Sequence, residues 1–389
     1  MSVGCRRRSA RSTAPRLLRT RSTSTVDRVR VKTLRGQTLA DFAENTDRFA
    51  ESTGAVDCRV RRLSWPGLTV AGRQVIRRRL RARVLDLWVL IRDSLAELVP
   101  LFDVPERPNL KRLPLALRED GLTWSLRLLG THVLIAGKTG AGKGSVLWSL
   151  IRALGPAVRD GLVEFWVIDP KGGMELAAGQ PLFACYCYGD RTTDDDGQRL
   201  AFQTEYAEFL ESLVDRMRAR QQDLRGIFRT HRARPGDPHV VVFIDELAAL
   251  TSYVSDRKVK ARIEDALNLL LSQGRACGIS VVAALQDARK EVANNRGLFP
   301  TRIGLALGEE AETDLILGTT ARKNGARCDQ INEDTPGVGF VAVDESREPV
   351  RVRFAYVDDD EIARLTHTYR PQTVPVDPYP ADPIEETHQ

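Results

Sequence analysis

A glycine-rich stretch between an apolar run and a helical pattern constrains the fold of this chain most. We predict a buried strand, a loop that begins at Gly137 and a helix that follows Lys143 from the sequence THVLIAGKTGAGKGSVLWSLIRAL. Glycine permits backbone angles that side chains forbid, so such a loop can turn its amides toward a phosphate at the helix N-terminus. A lysine placed there reaches the β- and γ-phosphates of a nucleotide. The predicted phosphate-binding residues are Gly137, Lys138, Thr139, Gly140, Ala141, Gly142, Lys143, Gly144 and Ser145.

The residue after the loop lysine departs from the usual pattern. Loops of the form G-x-x-x-x-G-K-[ST] carry a hydroxyl at this position, and the hydroxyl holds Mg²⁺. This chain has Gly144 instead. Two replacements stay open: Ser145 supplies the hydroxyl after a small shift of the first helical turn, or a water takes its place. Either way we expect weaker Mg²⁺ binding and slower turnover, with nucleotide binding retained by Lys143 and the loop amides.

Polar side chains end two further apolar runs. VVVFIDE ends in Asp245 and Glu246, and VVAALQ ends in Gln286. In ATPases with a phosphate-binding loop, the first acid of such a pair holds Mg²⁺ directly or through water, and the second polarises the attacking water. Gln286 either senses the γ-phosphate and orients water or simply ends its strand. We predict Asp245 and Ser145 as metal ligands, and Lys143, Glu246 and Gln286 as catalytic residues.

Short apolar runs alternate with helical stretches through most of the chain. VEFWVIDP, HVVVFIDE and GISVVAALQ lack polar alternation and are rich in β-branched residues, which is typical of strands buried on both faces. Helical patterns such as TEYAEFLESLVDRMRARQQDL separate them. We therefore predict an α/β fold with a mainly parallel sheet, right-handed crossovers and flanking helices.

Composition and periodicity divide the chain into four predicted parts. Residues 1–58 are polar and weakly periodic, which predicts a disordered basic leader. Residues 59–106 predict a basic helical region, because residues 74–101 fit a helix and RQVIRRRLRAR adds a dense basic face. That face is either solvated or in contact with a nucleic-acid backbone or anionic lipid. Residues 107–370 form the α/β domain, and the proline-rich, acidic residues 371–389 predict a disordered tail.

Charge, cysteines and hydropathy narrow the class of protein. The net charge is +6 and the sequence pI is near 9.1, which fits an acidic polymer as partner. The cysteines form no C-x-x-C pair and have no histidine at zinc spacing, which favours a reducing cytosol. No uninterrupted apolar run reaches about 18 residues, so no membrane span is predicted. We expect a cytoplasmic protein, with or without peripheral attachment at the inner face of the cell membrane.

The motifs follow one another as in the motor domain of FtsK/SpoIIIE DNA translocases, which the chain resembles over about residues 107–370. The similarity lies in LGTHVLIAGKTGAGKG, VIDPKGGMEL, VVVFIDELAAL, GRACGISVVAALQ and FPTRIGLALG, with PGVGF and VRVRFAYVDDDEI as closing strands. The GKGS form of the loop is most similar to transfer (Tra-type) proteins of actinobacterial plasmids and integrative elements. The resemblance implies a RecA-like P-loop NTPase of the FtsK/HerA type that binds ATP and Mg²⁺. It also implies double-stranded DNA as partner and a hexameric ring with nucleotide between subunits.

The resemblance further implies that an arginine from a neighbouring subunit completes each nucleotide site. Arg275 and Arg302 match arginines of the family's motifs. Each is either such a catalytic residue or part of an ion pair far from phosphate. Lys171 of the DPKGG stretch faces either the nucleotide or the subunit boundary.

A ring motor must grip phosphates instead of bases, because it travels over any sequence. Basic loop residues are therefore candidates to line the pore, although solvated charge explains them equally well. These candidates are Arg289, Lys290, Arg296, Arg322, Lys323 and Arg327.

Three functions stay open on the sequence alone. The first is an ATP-driven double-stranded DNA translocase in the conjugative transfer of a plasmid or integrative element, with a membrane or transfer-protein partner. The second is a protein-translocating secretion ATPase, because FtsK-like domains also serve there. The third is a nucleotide-dependent DNA-binding or regulatory module with weak hydrolysis, which Gly144 keeps open.

Overall fold

The chain forms two compact units. The computed structural model describes residues 14–62, 69–70, 73–74, 83–189, 202–286, 296–344 and 346–371. The first unit covers residues 1–96 and 119–121, and the second covers residues 97–118 and 122–389.

The first unit is built on a four-stranded antiparallel sheet with the strand order β1-β2-β6-β3. Its described elements are β1 (Arg16–Ser22), β2 (Val26–Lys32), α1 (Leu39–Ala43), α2 (Thr46–Thr53), β3 (Asp57–Arg62), the short hairpin β4 (Thr69–Val70) and β5 (Arg73–Gln74), and β6 (Val84–Leu90). One small core joins the sheet to the helices through Val31, Phe42, Val60 and Leu85.

The structure corrects two predictions in this region. The predicted disordered leader over residues 1–58 is wrong for residues 14–58, which carry strands and helices. The predicted basic helical region over 59–106 is wrong at β3 and β6, and the predicted helix over 74–101 is a strand at residues 84–90. The rest of the basic stretch, at 75–82, lies outside the described residues, as do 1–13 and most of the predicted tail.

Cross-strand charge pairing explains the error at β6. In the sheet, Asp86 of β6 stands opposite Arg30 on one neighbouring strand and Arg61 on the other. Arg30 Nε donates to Asp86 Oδ1 at 2.7 Å. Burial by itself would raise the pKa of Asp86, but hydrogen bonds from Arg30 and Arg28 outweigh it, and the pKa falls below its usual value. The partners of this carboxylate come from distant sequence, so the segment read alone did not reveal them.

The second unit contains a ten-stranded sheet with the order β11-β10-β12-β13-β9-β14-β15-β16-β7-β8. The strands from β11 to β14 in this order pair in parallel, and those from β14 to β8 pair antiparallel. The strands are β7 (Leu113–Arg118), β8 (Thr123–Leu126), β9 (Val133–Ala136), β10 (Val163–Ile168), β11 (Phe183–Cys187), β12 (His239–Ile244), β13 (Ile279–Leu285), β14 (Thr301–Gly304), β15 (Val338–Val343) and β16 (Ser346–Phe354). The predicted α/β fold with a mainly parallel sheet is confirmed.

Helices cover both faces of this sheet. The described helices are α3 (Lys143–Arg159), α4 (Phe202–Leu224), α5 (Leu247–Thr251), α6 (Arg257–Gln273), α7 (Glu310–Leu317) and α8 (Asp359–Thr368). One core packs α4 and α6 against the sheet, and a second core packs α3 and α8 against it. The residues Val240–Ile244 of β12 are consequently inaccessible to solvent on both sides, as the uninterrupted apolar run predicted.

Two histidines are buried near the amino ends of the central strands. His132 Nδ1 accepts a hydrogen bond from the backbone N–H of Val281 at 2.9 Å. His239 Nε2 lies 3.0 Å from the hydroxyl of Ser280. Burial lowers the pKa of each imidazole to about 3. Both side chains are therefore neutral in the folded protein at neutral pH.

We expect acid to destabilise the protein through these two histidines. Their folded pKa lies below the unfolded value near 6.5, so their effect is absent above about pH 7 and grows as the pH falls from about 6.5 toward 3. At pH 5 each histidine should cost about 2 kcal/mol of unfolding free energy. Urea unfolding of the wild type and His239→Gln at pH 7 and pH 5 measures this, and the variant should lose about 2 kcal/mol less.

The matched control is His367→Gln on the exposed face of α8. It should show the wild-type difference between the two pH values. An equal loss in His239→Gln and the wild type would show that the buried imidazole does not couple folding to pH.

Candidate nucleotide-binding site

The glycine-rich loop lies between β9 and α3, and a neighbouring turn supports it. Gly140 and Gly142 have φ angles of +80° and +93°, in the left-handed region that favours glycine. The backbone N–H of Gly337, just before β15, donates to the Ala141 carbonyl at 2.9 Å. A Cβ atom on Gly142 would lie 2.2 Å from the Gly337 nitrogen. Close backbone packing and the positive φ angle therefore both require glycine at position 142.

Lys143 begins α3 and folds back over the loop. Its Nζ atom donates to the carbonyls of Gly137 at 2.7 Å and Lys138 at 3.1 Å. The residue is only 8% exposed. Burial lowers the pKa of Lys143, and the positive charge of Lys171 lowers it further. The ammonium group is thus held within the curve of the loop, where phosphate oxygens can replace the carbonyls as acceptors.

The predicted acids stand at the same edge of the sheet. Asp245 and Glu246 follow the carboxyl end of β12 and are 2% and 6% exposed. Lys171 Nζ lies 2.8 Å from Asp245 Oδ2 and 3.6 Å from Glu246 Oε2. Burial raises the pKa of Glu246, although Lys171 acts in the opposite direction. Lys171 therefore faces these acids, which is one of the two positions that the sequence left open.

Gln286 connects the acids to the loop. Its backbone N–H donates to Glu246 Oε1 at 3.3 Å, and its side-chain Oε1 accepts a hydrogen bond from the Thr139 hydroxyl at 3.4 Å. The structure thus brings together Gln286, Glu246 and a residue of the loop, although they lie far apart in sequence. Its role as a sensor stays a prediction.

A tight turn after β10 carries two residues into the site. Asp169 Oδ2 accepts hydrogen bonds from the backbone N–H groups of Glu175, at 3.1 Å, and Leu176, at 2.8 Å. Gly172 and Gly173 have φ angles of +70° and +78°, which the sharp reversal requires. The turn carries Lys171 to the acids and brings Glu175 against the start of α3.

Glu175 lies against Gly144, and the sequence analysis did not single it out. A Cβ atom on Gly144 would lie 2.2 Å from Glu175 Oε1. The Glu175 residue is exposed. Partial desolvation of its carboxylate raises the pKa, and the negative charge of Asp245 raises it further. The signal that could have found it is the pairing of a glycine after the loop lysine with an acid in the DPKGGME stretch. The Ser145 Cβ is 3.9 Å from where a Cβ on Gly337 would be, and the role of Ser145 as a metal ligand stays a prediction.

Arg275 and Arg302 do not join the site of their own chain. Arg275 precedes the amino end of β13, and Arg302 is near the amino end of β14. Both strands run parallel to β9, whose carboxyl end leads into the loop. The two arginines are therefore at the opposite edge of the sheet. Arg302 Nη1 also forms an ion pair with Asp344 Oδ1 at 2.7 Å.

Three of the pore-loop candidates have partners inside the second unit. Arg327 Nη1 donates to Gln330 Oε1 at 3.4 Å. Arg296 Nη1 donates to two carbonyls at the carboxyl end of α7, at 3.1 Å and 2.5 Å. Arg322 forms ion pairs with two carboxylates. Lys323 is exposed, whereas Arg289 and Lys290 lie outside the described residues. Of these candidates, Lys323 is the one that the structure shows at the surface.

Comparison with known proteins confirms the resemblance that the motifs indicated. Residues 102–237 match the model of the FtsK/SpoIIIE family. Among the described residues, no helix combines the length and apolar character needed to cross a membrane.

The relatives of this chain differ in how much of their own length it covers. The transfer protein TraSA of Streptomyces ambofaciens is 27% identical over 384 residues, which cover 93% of this chain and 84% of TraSA. The DNA translocase FtsK of Sporosarcina ureae is 26% identical over 274 residues, which cover 66% of this chain and 33% of that protein. The chain thus spans about a third of the length of this translocase.

Solved structures share the fold at low sequence identity. The pCW3 conjugation coupling protein TcpA, in a monomer form with ATPγS, superposes with a TM-score of 0.56 at 18% identity, covering 91% of this chain and 93% of TcpA. The cytoplasmic domain of the type VII secretion ATPase EccC of Thermomonospora curvata has a TM-score of 0.53 at 22% identity, covering 75% of this chain and 35% of EccC. Both similarities support a P-loop ATPase fold for this chain.

The contact between the loop and Gly337 can be tested with two glycine substitutions. Gly140→Ala and Gly142→Ala both place a side chain at positive φ, which costs about 1–2 kcal/mol. A Cβ on Gly140 meets nothing within 4 Å, whereas a Cβ on Gly142 meets the Gly337 backbone. We expect Gly142→Ala to lose about 1–3 kcal/mol more unfolding free energy than Gly140→Ala, because of this overlap.

Urea unfolding without nucleotide measures the difference, and Gly140→Ala is the matched control for positive φ. Equal losses in the two variants would contradict the close packing of the loop against Gly337.

Proposed function

We propose that this chain is an ATP-driven double-stranded DNA translocase of the FtsK/SpoIIIE type that acts in the transfer of a plasmid or integrative element between cells. One observation carries the proposal: Lys143 in the glycine-rich loop and the acids Asp245 and Glu246 converge at one edge of the sheet. That convergence fits the binding and hydrolysis of a nucleoside triphosphate.

Each residue has a distinct role in the proposed reaction. The loop amides and Lys143 bind the phosphates, and Lys143 exchanges the carbonyls of Gly137 and Lys138 for phosphate oxygens. Glu246 accepts the proton of the attacking water, and its raised pKa suits a general base near neutral pH. Gln286 orients that water through its contacts with Glu246 and Thr139. Lys171 holds the two acids in place.

The acidic edge also fits a magnesium ion. Mg²⁺ in nucleotide sites is held by one or two carboxylates together with phosphates and water. Among the described residues, no group of three or more His, Cys, Asp or Glu side chains is arranged to hold a metal. Asp245 would hold the ion directly or through water, and Mg²⁺ would neutralise charge that develops on the phosphates.

The positions of the arginines favour a ring. Arg275 and Arg302 are at the sheet edge opposite their own loop, so either can reach a nucleotide only in a neighbouring subunit. We infer a hexamer with nucleotide between subunits, and Lys323 as a contact with DNA phosphates. The high coverage of the transfer protein TraSA supports a role in transfer, and the relatives named DNA translocase FtsK support DNA as the partner.

Duplex DNA should stimulate phosphate release by the full-length chain in the presence of ATP and Mg²⁺. Lys143→Ala should lose nucleotide binding and hydrolysis together, because the phosphates lose their cation. Glu246→Gln should still bind nucleotide but hydrolyse about 10²–10⁴-fold more slowly, because it cannot accept a proton. Phosphate release and equilibrium binding of a fluorescent ATP analogue measure the two effects.

Glu264→Gln, which neutralises a surface carboxylate on α6, is the matched control and should retain the wild-type rate. Stimulation by a protein substrate instead of DNA would favour a secretion ATPase. Nucleotide and DNA binding without phosphate release would favour a regulatory module.

A further inference from the structure

Gly144 and Glu175 form a matched pair. A Cβ atom on Gly144 would lie 2.2 Å from Glu175 Oε1 and 3.3 Å from its Cδ. A distance of 2.2 Å is far inside van der Waals contact, so the carboxylate can occupy this position only because residue 144 has no side chain. The space in which other phosphate-binding loops place a hydroxyl holds a carboxylate in this chain.

The turn after β10 fixes the backbone from which that carboxylate extends. Asp169 is inaccessible to solvent, and its Oδ2 atom binds the backbone N–H groups of Glu175 and Leu176. Lys171, on the same turn, is anchored to Asp245 at 2.8 Å. The turn is therefore held at both its ends, and Glu175 approaches α3 from a fixed backbone.

The charges around Glu175 favour a cation. The negative charges of Asp245 and Asp169 repel the Glu175 carboxylate, and the positive charges of Lys171 and Lys143 attract it. With Glu246, which also lies near Lys171, four carboxylates thus share two ammonium groups. When Lys143 binds phosphate, the phosphate neutralises its positive charge. The carboxylates then have less positive charge to balance them. A divalent cation would offset that excess.

We propose that Glu175 replaces the missing hydroxyl after the loop lysine and holds the Mg²⁺ of the bound nucleotide, directly or through one coordinated water. The proposal rests on the proposed nucleotide site. A carboxylate is a hard oxygen ligand that Mg²⁺ accepts readily, and it brings a negative charge that a hydroxyl lacks. Mg²⁺ binding is then retained in spite of Gly144, contrary to the expectation from the sequence. Ser145 is then not needed as a ligand, because the Glu175 carboxylate lies beside residue 144, where the usual hydroxyl would be.

The first test titrates Mg²⁺ against nucleotide binding. A fluorescent ATP analogue is bound to the full-length wild type, Glu175→Ala, Ser145→Ala and the control Glu264→Ala at increasing Mg²⁺. Glu175→Ala should need about 10–100-fold more Mg²⁺ than the wild type. Ser145→Ala, which removes the alternative ligand, should shift the titration less than Glu175→Ala, and the control Glu264→Ala should match the wild type. Mn²⁺ in place of Mg²⁺ gives a spectroscopic readout, because its electron paramagnetic resonance signal reports the fraction of metal bound.

The second test is a double-mutant cycle with Gly144→Ser. A serine side chain at 144 displaces the flexible carboxylate and supplies a hydroxyl of its own. In the wild type, Glu175→Ala should therefore strongly raise the Mg²⁺ concentration needed for binding. In Gly144→Ser the same change should raise it by less than about twofold, because the two residues act as one unit. Binding in EDTA shows that every variant is folded, since the loop and Lys143 remain.

The outcomes separate this inference from the proposed function. If the wild type fails to bind the nucleotide with Mg²⁺, the proposed function fails. If the wild type needs Mg²⁺ and Glu175→Ala has the same titration, or if Ser145→Ala alone shifts it, the role of Glu175 is wrong and the nucleotide site stands. Equal effects of Glu175→Ala in both backgrounds would also overturn it.

Discussion

The parallel pairing of β10, β12, β13 and β9 is the constraint on which the site depends. Their register places the ends of these strands side by side, with Ile168 opposite Ile244 and Leu285 opposite Ala136. The residues that follow each strand must then meet at one edge of the sheet. The glycine-rich loop, the paired acids, Gln286 and the turn with Lys171 are therefore neighbours because the strands are neighbours. Helices on both faces bury these strands and keep the edge rigid.

Local packing then refines what the sheet brings together. The Asp169 carboxylate closes the turn that bears Lys171 and Glu175, and the Gly337 backbone supports the loop from the other side. In both places a glycine allows close approach: Gly142 against backbone, and Gly144 against a carboxylate. A departure from a motif can therefore be one half of a compensated pair. On this view the loop is a working phosphate site whose metal-binding group has moved to another segment.

The strands of the second unit could be predicted from the sequence, whereas those of the first unit could not. Buried strands such as VVVFI are apolar throughout and need no partner to be recognised. In β2 and β3 arginine alternates with valine, and Asp86 of β6 accepts hydrogen bonds from Arg28 and Arg30 of β2. Such a pattern resembles a polar leader until its partners are known. Read alone, the apolar residues around Asp86 fit a helix as well as a strand.

For the site itself, residue type and local order determined the loop, Lys143, the two acids and Gln286, because each ends a recognisable strand or begins a helix. The sequence also indicated the resemblance to the FtsK/SpoIIIE family, since those motifs keep a fixed order. Only the tertiary structure decided that Lys171 faces the acids, that Glu175 fills the space beside Gly144, and that Arg302 and Arg275 are far from their own loop. These facts depend on the order of strands in the sheet and on contacts between distant segments, and neither is written in any local pattern.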